Sequence, residues 1–164
     1  LKYNIMIKRS LFLLLLVFIN CLTFSQAKIY NKNSKYSSDI IYTINNGKLY
    51  KSNSNYSSDI LFTIKNNKIY RGNSNYNSDI ILNIKDNKVY KNNSSYSTDI
   101  VYVFSNGKMY NSNSEYDSNI IFTLKNNKVY KGNSSYDSSI LFNISENISL
   151  TELVLIYHAY NSKM

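Results

Sequence analysis

From Lys28 to Ser145 the chain repeats itself every 20 residues without one insertion or deletion. Tyr30, Tyr50, Tyr70, Tyr90, Tyr110 and Tyr130 keep this spacing, and so do Tyr36, Tyr56, Tyr76, Tyr96, Tyr116 and Tyr136. Ser34 and its five equivalents each follow an Asn, and Ile40 recurs as Ile60, Ile80, Ile100, Ile120 and Ile140. Asp39, Asp59, Asp79 and Asp99 hold in four copies, then give way to Asn119 and Ser139. A strict period of this length means that one small structural unit is copied six times and buries its apolar surface against its neighbours.

Each unit contains two strand-like runs. In Asp39 to Ile44, alternation is expected to put Ile40, Tyr42 and Ile44 on one face and Ile41 and Thr43 on the other. The second run is Lys48 to Lys51. Between them stands Asn46-Gly47, repeated as Asn106-Gly107, the strongest short signal for a two-residue type I′ hairpin turn. Asn66-Asn67, Asp86-Asn87 and Asn126-Asn127 are weaker forms, since Asn tolerates positive φ. Such a turn sets Ile44 opposite Leu49 and Thr43 opposite Tyr50. The Ile40/Ile44/Leu49 side is the expected core face, and the Ile41/Tyr50 side is mixed. The Asn- and Ser-rich stretch Asn53 to Ser58 supplies side chains that bond nearby backbone, as a connecting loop requires.

Two all-β architectures fit a two-strand unit. Six hairpins can follow one another as an antiparallel meander that closes into a barrel or rosette. Alternatively, each unit is one coil of a β-solenoid. In a solenoid Asp39, Asp59, Asp79 and Asp99 would stack at about 4.8 Å, as would Lys48, Lys68, Lys88, Lys108 and Lys128, and same-sign ladders are unfavourable. In the meander the equivalents lie two strands apart, at roughly 9–10 Å, where screening removes most of the penalty. The meander is the favoured reading, and closure also disposes of the edges and the second apolar face.

The units resemble those of the β-flower proteins, small bacterial domains of radially repeated hairpins with an Ile-Tyr at the start of each unit. Lys28-Ile29-Tyr30 and Lys48-Leu49-Tyr50 carry that likeness. Ser34-Lys35-Tyr36-Ser37-Ser38-Asp39 is also similar to the S-x-Y-x-A-D unit of the septoil-knot repeat domains. The resemblance implies a hairpin array, and neither family implies a known enzyme activity.

The pattern breaks after Ile144. Ser149-Leu150-Thr151-Glu152 reads as a capping box, and the helix Ser149 to Tyr160 that follows is apolar nearly all round. It is expected to be buried, as a cap on the array or a plug across one end. A partner-binding or membrane-inserting helix is the alternative, although its length is too short to span a bilayer. The expected organisation is a leader over 1–25, repeats over 26–147 and a helix with tail over 148–164.

Residues 1–25 read as a secretory signal. Lys8 and Arg9 precede nine apolar residues, Leu11 to Ile19, and Thr23 to Gln26 form a cleavage zone. The expected start residue is Leu1 or Met6. Cys21 raises lipidation as an alternative, though Phe18-Ile19-Asn20 match a lipobox poorly. Cleavage would remove Lys2, Lys8, Arg9 and the lone Cys, leaving three fewer positive charges than the +9 of the full chain. A Cys-free product suits an oxidising compartment.

Chemistry is sparse. One Cys and one His exclude a disulfide framework and a Cys/His zinc site, and no nucleotide, zincin or nucleophile-elbow motif occurs. His158, set among apolar residues, reads as a packed side chain and no catalytic residue is assigned. The repeated Asp could ligate calcium, but a loop carboxylate bonded to backbone amides explains it better, so no metal or other cofactor is expected. The Tyr, Asn and Ser of the loops form a plausible sugar-binding set, with Tyr36, Tyr56, Tyr76, Tyr96, Tyr116 and Tyr136 as the candidate residues. The lysines are spread along the units, which fits a solvated rim and not a nucleic-acid groove. The expected protein is an exported, non-enzymatic β-repeat module of the periplasm, outer surface or medium, without a membrane span, that binds an envelope component such as a glycan. A self-assembling, curli-like matrix protein is the alternative, because near-identical β-rich repeats favour stacking.

Overall fold

The computed structural model describes residues 26–162. The leader and Cys21 lie outside them. Strand β1 (Ala27–Asn31) opens the chain. Five hairpins follow: β2 (Ile40–Asn45) with β3 (Lys48–Lys51), β4 (Ile60–Lys65) with β5 (Lys68–Arg71), β6 (Ile80–Lys85) with β7 (Lys88–Lys91), β8 (Ile100–Ser105) with β9 (Lys108–Asn111), and β10 (Ile120–Lys125) with β11 (Lys128–Lys131). Strand β12 (Ile140–Ile144) and helix α1 (Leu150–Asn161) complete it. Every strand pairs antiparallel with its sequence neighbours, and β12 pairs with β1, so the twelve strands close into a barrel. The meander, not the solenoid, is the fold.

The hairpin turns form as their residues dictate. Asn46 and Gly47 have φ of 50° and 69°, and Asn66, Asn67, Asp86, Asn87, Asn106, Gly107, Asn126 and Asn127 all have positive φ, which is the type I′ requirement. Ile44 stands opposite Leu49 and Thr43 opposite Tyr50, as the turn length predicts. At Gly107 a Cβ would come within 3.2 Å of the Leu124 carbonyl oxygen, so this turn needs glycine for space as well as for φ.

One expectation about the faces is overturned. Tyr30 pairs with Ile40 while Ile29 pairs with Tyr42, leaving Ile41 as an extra residue. The same β-bulge recurs beside Tyr50, Tyr70, Tyr90, Tyr110 and Tyr130. A bulge shifts the alternation by one, so Ile40 turns to the outer face with the Tyr30 series. Tyr42, Ile44 and Leu49 line the interior, with Ile41 packed against them. On the outer face Tyr90, Ile100 and Val103 form a cluster separate from the interior. This face stays dry because the loop after each hairpin folds back on the wall. Thr43 Oγ1 donates to the Ser52 carbonyl at 2.9 Å, Thr63 to that of Gly72 at 2.8 Å, and Thr123 to that of Gly132 at 2.8 Å.

The expected C-terminal helix is present, and it closes the array from within the ring. Leu153, Val154, Leu155 and Ile156 point in four directions around α1, and all are at most 2% exposed. Its contacts come from around the ring: Tyr42 Oη donates to the Ala159 carbonyl at 2.9 Å, Phe62 meets His158 edge-on, Tyr102 and Phe122 meet Tyr157, and Phe142 meets Tyr160. The helix therefore fills the lumen. Its N-terminus lies at the hairpin-turn end, where Thr151 Oγ1 reaches Asn67 Oδ1 at 3.4 Å, and its C-terminus lies at the loop end. The capping box forms: Glu152 N donates to Ser149 Oγ and Ser149 N donates to Glu152 Oε2. Leu155→Ala should lower the unfolding free energy by about 2–5 kcal/mol in urea titrations, a cost that an end cap packed on one side would not carry. A loss under about 1 kcal/mol would show that the lumen does not depend on the helix.

Candidate functional site

The six loops are built alike, and they carry all six candidate tyrosines. Each begins with a residue in the left-handed region: Lys32, Ser52, Gly72, Asn92, Ser112 or Gly132, with φ between 51° and 60°. Each ends in a single 3-10 turn, the first being Ser37–Asp39. Between them a clamp sets the loop's shape. Ser34 Oγ donates to Asp39 Oδ2 at 2.5 Å and accepts from Tyr36 N at 3.2 Å. Asp39 N donates to the Tyr36 carbonyl at 3.0 Å. The same pattern holds for Ser54 with Asp59, Ser74 with Asp79 and Ser94 with Asp99. The Asp was expected to bond backbone amides directly; instead it grips the Ser hydroxyl that does so. This explains the two substituted copies. Asn119 Nδ2 donates to Ser114 Oγ at 2.8 Å, and Ser139 Oγ donates to Ser134 Oγ at 2.7 Å, so the bridge survives without a carboxylate.

The clamp holds the tyrosine backbone from both sides and leaves the ring outside. Tyr36, Tyr56, Tyr76, Tyr96, Tyr116 and Tyr136 are 71–77% exposed, the only large hydrophobic side chains so exposed among the described residues. A free aromatic ring on a fixed backbone can stack on another flat apolar face at little ordering cost. The six are not gathered into one pocket. They stand one per loop around the barrel, with exposed Asn33, Asn53, Asn73, Asn93, Asn113 and Asn133 beside them. Neighbouring loops touch across the ring closure, where Asn33 Nδ2 lies 3.4 Å from Asp137 Oδ2.

A cleft of about 380 Å³ that the sequence reading missed lies at the junction of β1 with β12. Tyr30, Lys35, Asn126, Lys128, Asn143 and Ser145 are among its lining residues. It arises because the sixth unit has no hairpin turn. After Ser145, which bonds Lys28 from both its N and its Oγ, the chain leaves the wall and enters the lumen as α1. The one signal for it was the break of period after Ile144.

Inside the barrel, burial governs the titratable groups. The Tyr42 and Tyr157 hydroxyls are pushed up to about 12, by desolvation first and by the neighbouring Tyr160 and Tyr102 second. Desolvation also raises Tyr102. His158 is pushed below the usual imidazole value by the same burial, and it packs edge-on to Phe62 with ring centroids 5.5 Å apart.

With the geometry in place, the comparisons give one family. A family model described as 6-fold beta flower protein matches residues 23–156, so the chain belongs to the six-fold β-flower family. No curated protein and no solved structure matches it.

Two outcomes follow. Asp59→Ala should destabilise the protein by about 1 kcal/mol, since it removes one hydrogen bond, whereas Asp59→Asn should stay within about 0.5 kcal/mol, as Asn119 does the same work naturally. Chemical denaturation of both variants reads this directly. For His158 the folded-state pKa is depressed, so both states are neutral above the unfolded value near 6.5 and no contribution arises there. As pH falls below it, the unfolded chain takes up a proton that the folded one declines, and stability drops. Wild type should lose stability from pH 7 to 5 relative to His158→Leu; parallel curves would show that His158 is not held neutral.

Proposed function

We propose that this protein is an exported, non-enzymatic binding module of the bacterial envelope that engages a glycan through its ring of six loop tyrosines. The observation that carries the reading is that six large aromatic rings stand 71–77% exposed on loops whose backbone is clamped. Nothing in folding asks for them to be there, since the outer wall is already covered by the buried Tyr50 series. Tyrosine faces stack on the apolar faces of sugar rings, and the adjoining Asn and Ser side chains supply donors and acceptors for hydroxyls. Six equivalent weak sites suit a repeating polymer, because linked contacts multiply by effective concentration. Export rests on Lys8, Arg9 and the apolar run Leu11 to Ile19. Among the described residues, no helix is long and apolar enough to cross a membrane. The self-assembly alternative gains less support, since the closed ring offers no strand edge among the described strands.

The test is binding to purified envelope polysaccharides by sedimentation. Replacing Tyr36, Tyr56 and Tyr76 together with Ala should reduce avidity by about 100-fold. The melting temperature should barely change, because the rings are outside the packed structure. Unchanged binding, or no polysaccharide bound by the wild type, would overturn the reading.

A further inference from the structure

The barrel's charge is concentrated at one end. The loop end is balanced: Lys51, Arg71, Lys91 and Lys131 at the ends of their strands share it with Asp39, Asp59, Asp79 and Asp99. The hairpin-turn end is different. Lys28, Lys48, Lys65, Lys68, Lys85, Lys88, Lys108, Lys125 and Lys128 all lie within one residue of a turn or of its equivalent at the ring closure, against two acids at the same places, Asp86 in a turn and Glu146 at the closure. Among the described residues two of these lysines are drawn into ion pairs, Lys108 with Asp117 at 3.8 Å and Lys128 with Asp137 at 3.6 Å.

The arrangement also runs against the needs of folding. Lys65 stands directly opposite Lys68, Lys85 opposite Lys88, and Lys125 opposite Lys128. Like charges in direct cross-strand register are destabilising, and one Glu in each pair would turn repulsion into attraction. Three such pairs in five hairpins mark a rim whose charge serves something other than the barrel. Lys65, Lys85 and Lys125 are exposed.

We propose that the hairpin-turn end docks on an anionic bilayer surface, with the lysine rim facing the lipid headgroups. A circular rim of cations fits a flat negative surface, whereas a linear polyanion would call for a basic groove along the wall. The chain's own path agrees. Ala27 pairs with Ile44 next to the first turn, so the polypeptide enters the barrel at this end. Ile19, the last residue of the apolar run, is eight residues earlier, at most about 29 Å of extended chain. In the uncleaved chain, therefore, the rim lies close to any membrane that holds that run. The docking uses the end of the barrel and does not depend on the tyrosine reading.

The test is partitioning of the full chain onto phosphatidylcholine vesicles with and without 30% phosphatidylglycerol. Each rim lysine near such a surface contributes about fivefold to partitioning. Lys65→Glu, Lys85→Glu and Lys125→Glu combined should reduce binding to the anionic vesicles at least tenfold and should not lower the melting temperature, because each creates a Glu–Lys cross-strand pair. Lys51→Glu, Lys91→Glu and Lys131→Glu at the loop end change the net charge equally and should shift binding less than threefold. The apolar run is the same in all three proteins. Equal losses in the two variants would mean that net charge alone acts, and would overturn the proposal. So would binding indifferent to phosphatidylglycerol. A rim variant that loses heparin retention but keeps its vesicle binding would overturn it too, and would assign the rim to a soluble polyanion.

Discussion

A twelve-strand ring has an interior that its own side chains cannot fill. About eight strands is the size at which inward residues meet across the axis, and twelve leave room for an object about 10 Å wide. Helix α1 is that object, since a helix with its side chains has this diameter. The consequences run outward. Because a helix occupies the axis, four successive apolar residues are all buried in it, five of the six long strands reach it with an aromatic side chain, and the last unit must give up its hairpin turn so that the chain can enter.

That constraint sorts the repeat into two kinds of position. Some positions are copied without change: Tyr36 and Ser34 in the loops and Ile40 on the outer wall, with their equivalents, face surroundings that are the same six times. The inward position of each long strand reads Tyr42, Phe62, Leu82, Tyr102, Phe122 and Phe142. A helix has no six-fold axis, so each strand meets a different part of it, and each fills a different gap.

Most of the architecture was legible because it rests on local rules. Asn-Gly at positions 46–47 and 106–107 set the turn type, and turn type sets register. The 20-residue period set the number of units, and like-charge spacing separated meander from solenoid. Three features were not legible. The bulge hides in the Ile-Ile pair at 40–41, where two apolar residues in a row satisfy either alternation. The left-handed loop residue was signalled only by Gly72, Gly132 and Asn92, and was masked where Lys32 and Ser52 adopt the same conformation. The helix was read as buried from its all-round apolarity, but nothing local distinguishes the inside of a ring from its end. For the loops, exposure of the Tyr36 series was expected from loop placement. The Ser–Asp bridge was not, although its replacement by Asn119 and Ser139, two other hydrogen-bonding side chains, was its trace.

The pairing of β1 with β12 has an implication for how this repeat array can change over time. In open solenoids each unit touches only its neighbours, so copies can be gained or lost with small effect. Here the first strand waits for the last, since Lys28 and Ser145 must meet across 117 positions. A chain with five units would make a ring too tight for the helix, and one with seven would leave it loose. Duplication, the easiest event for near-identical tandem copies, is thereby blocked by geometry. The count of six is a property of the helix as much as of the strands.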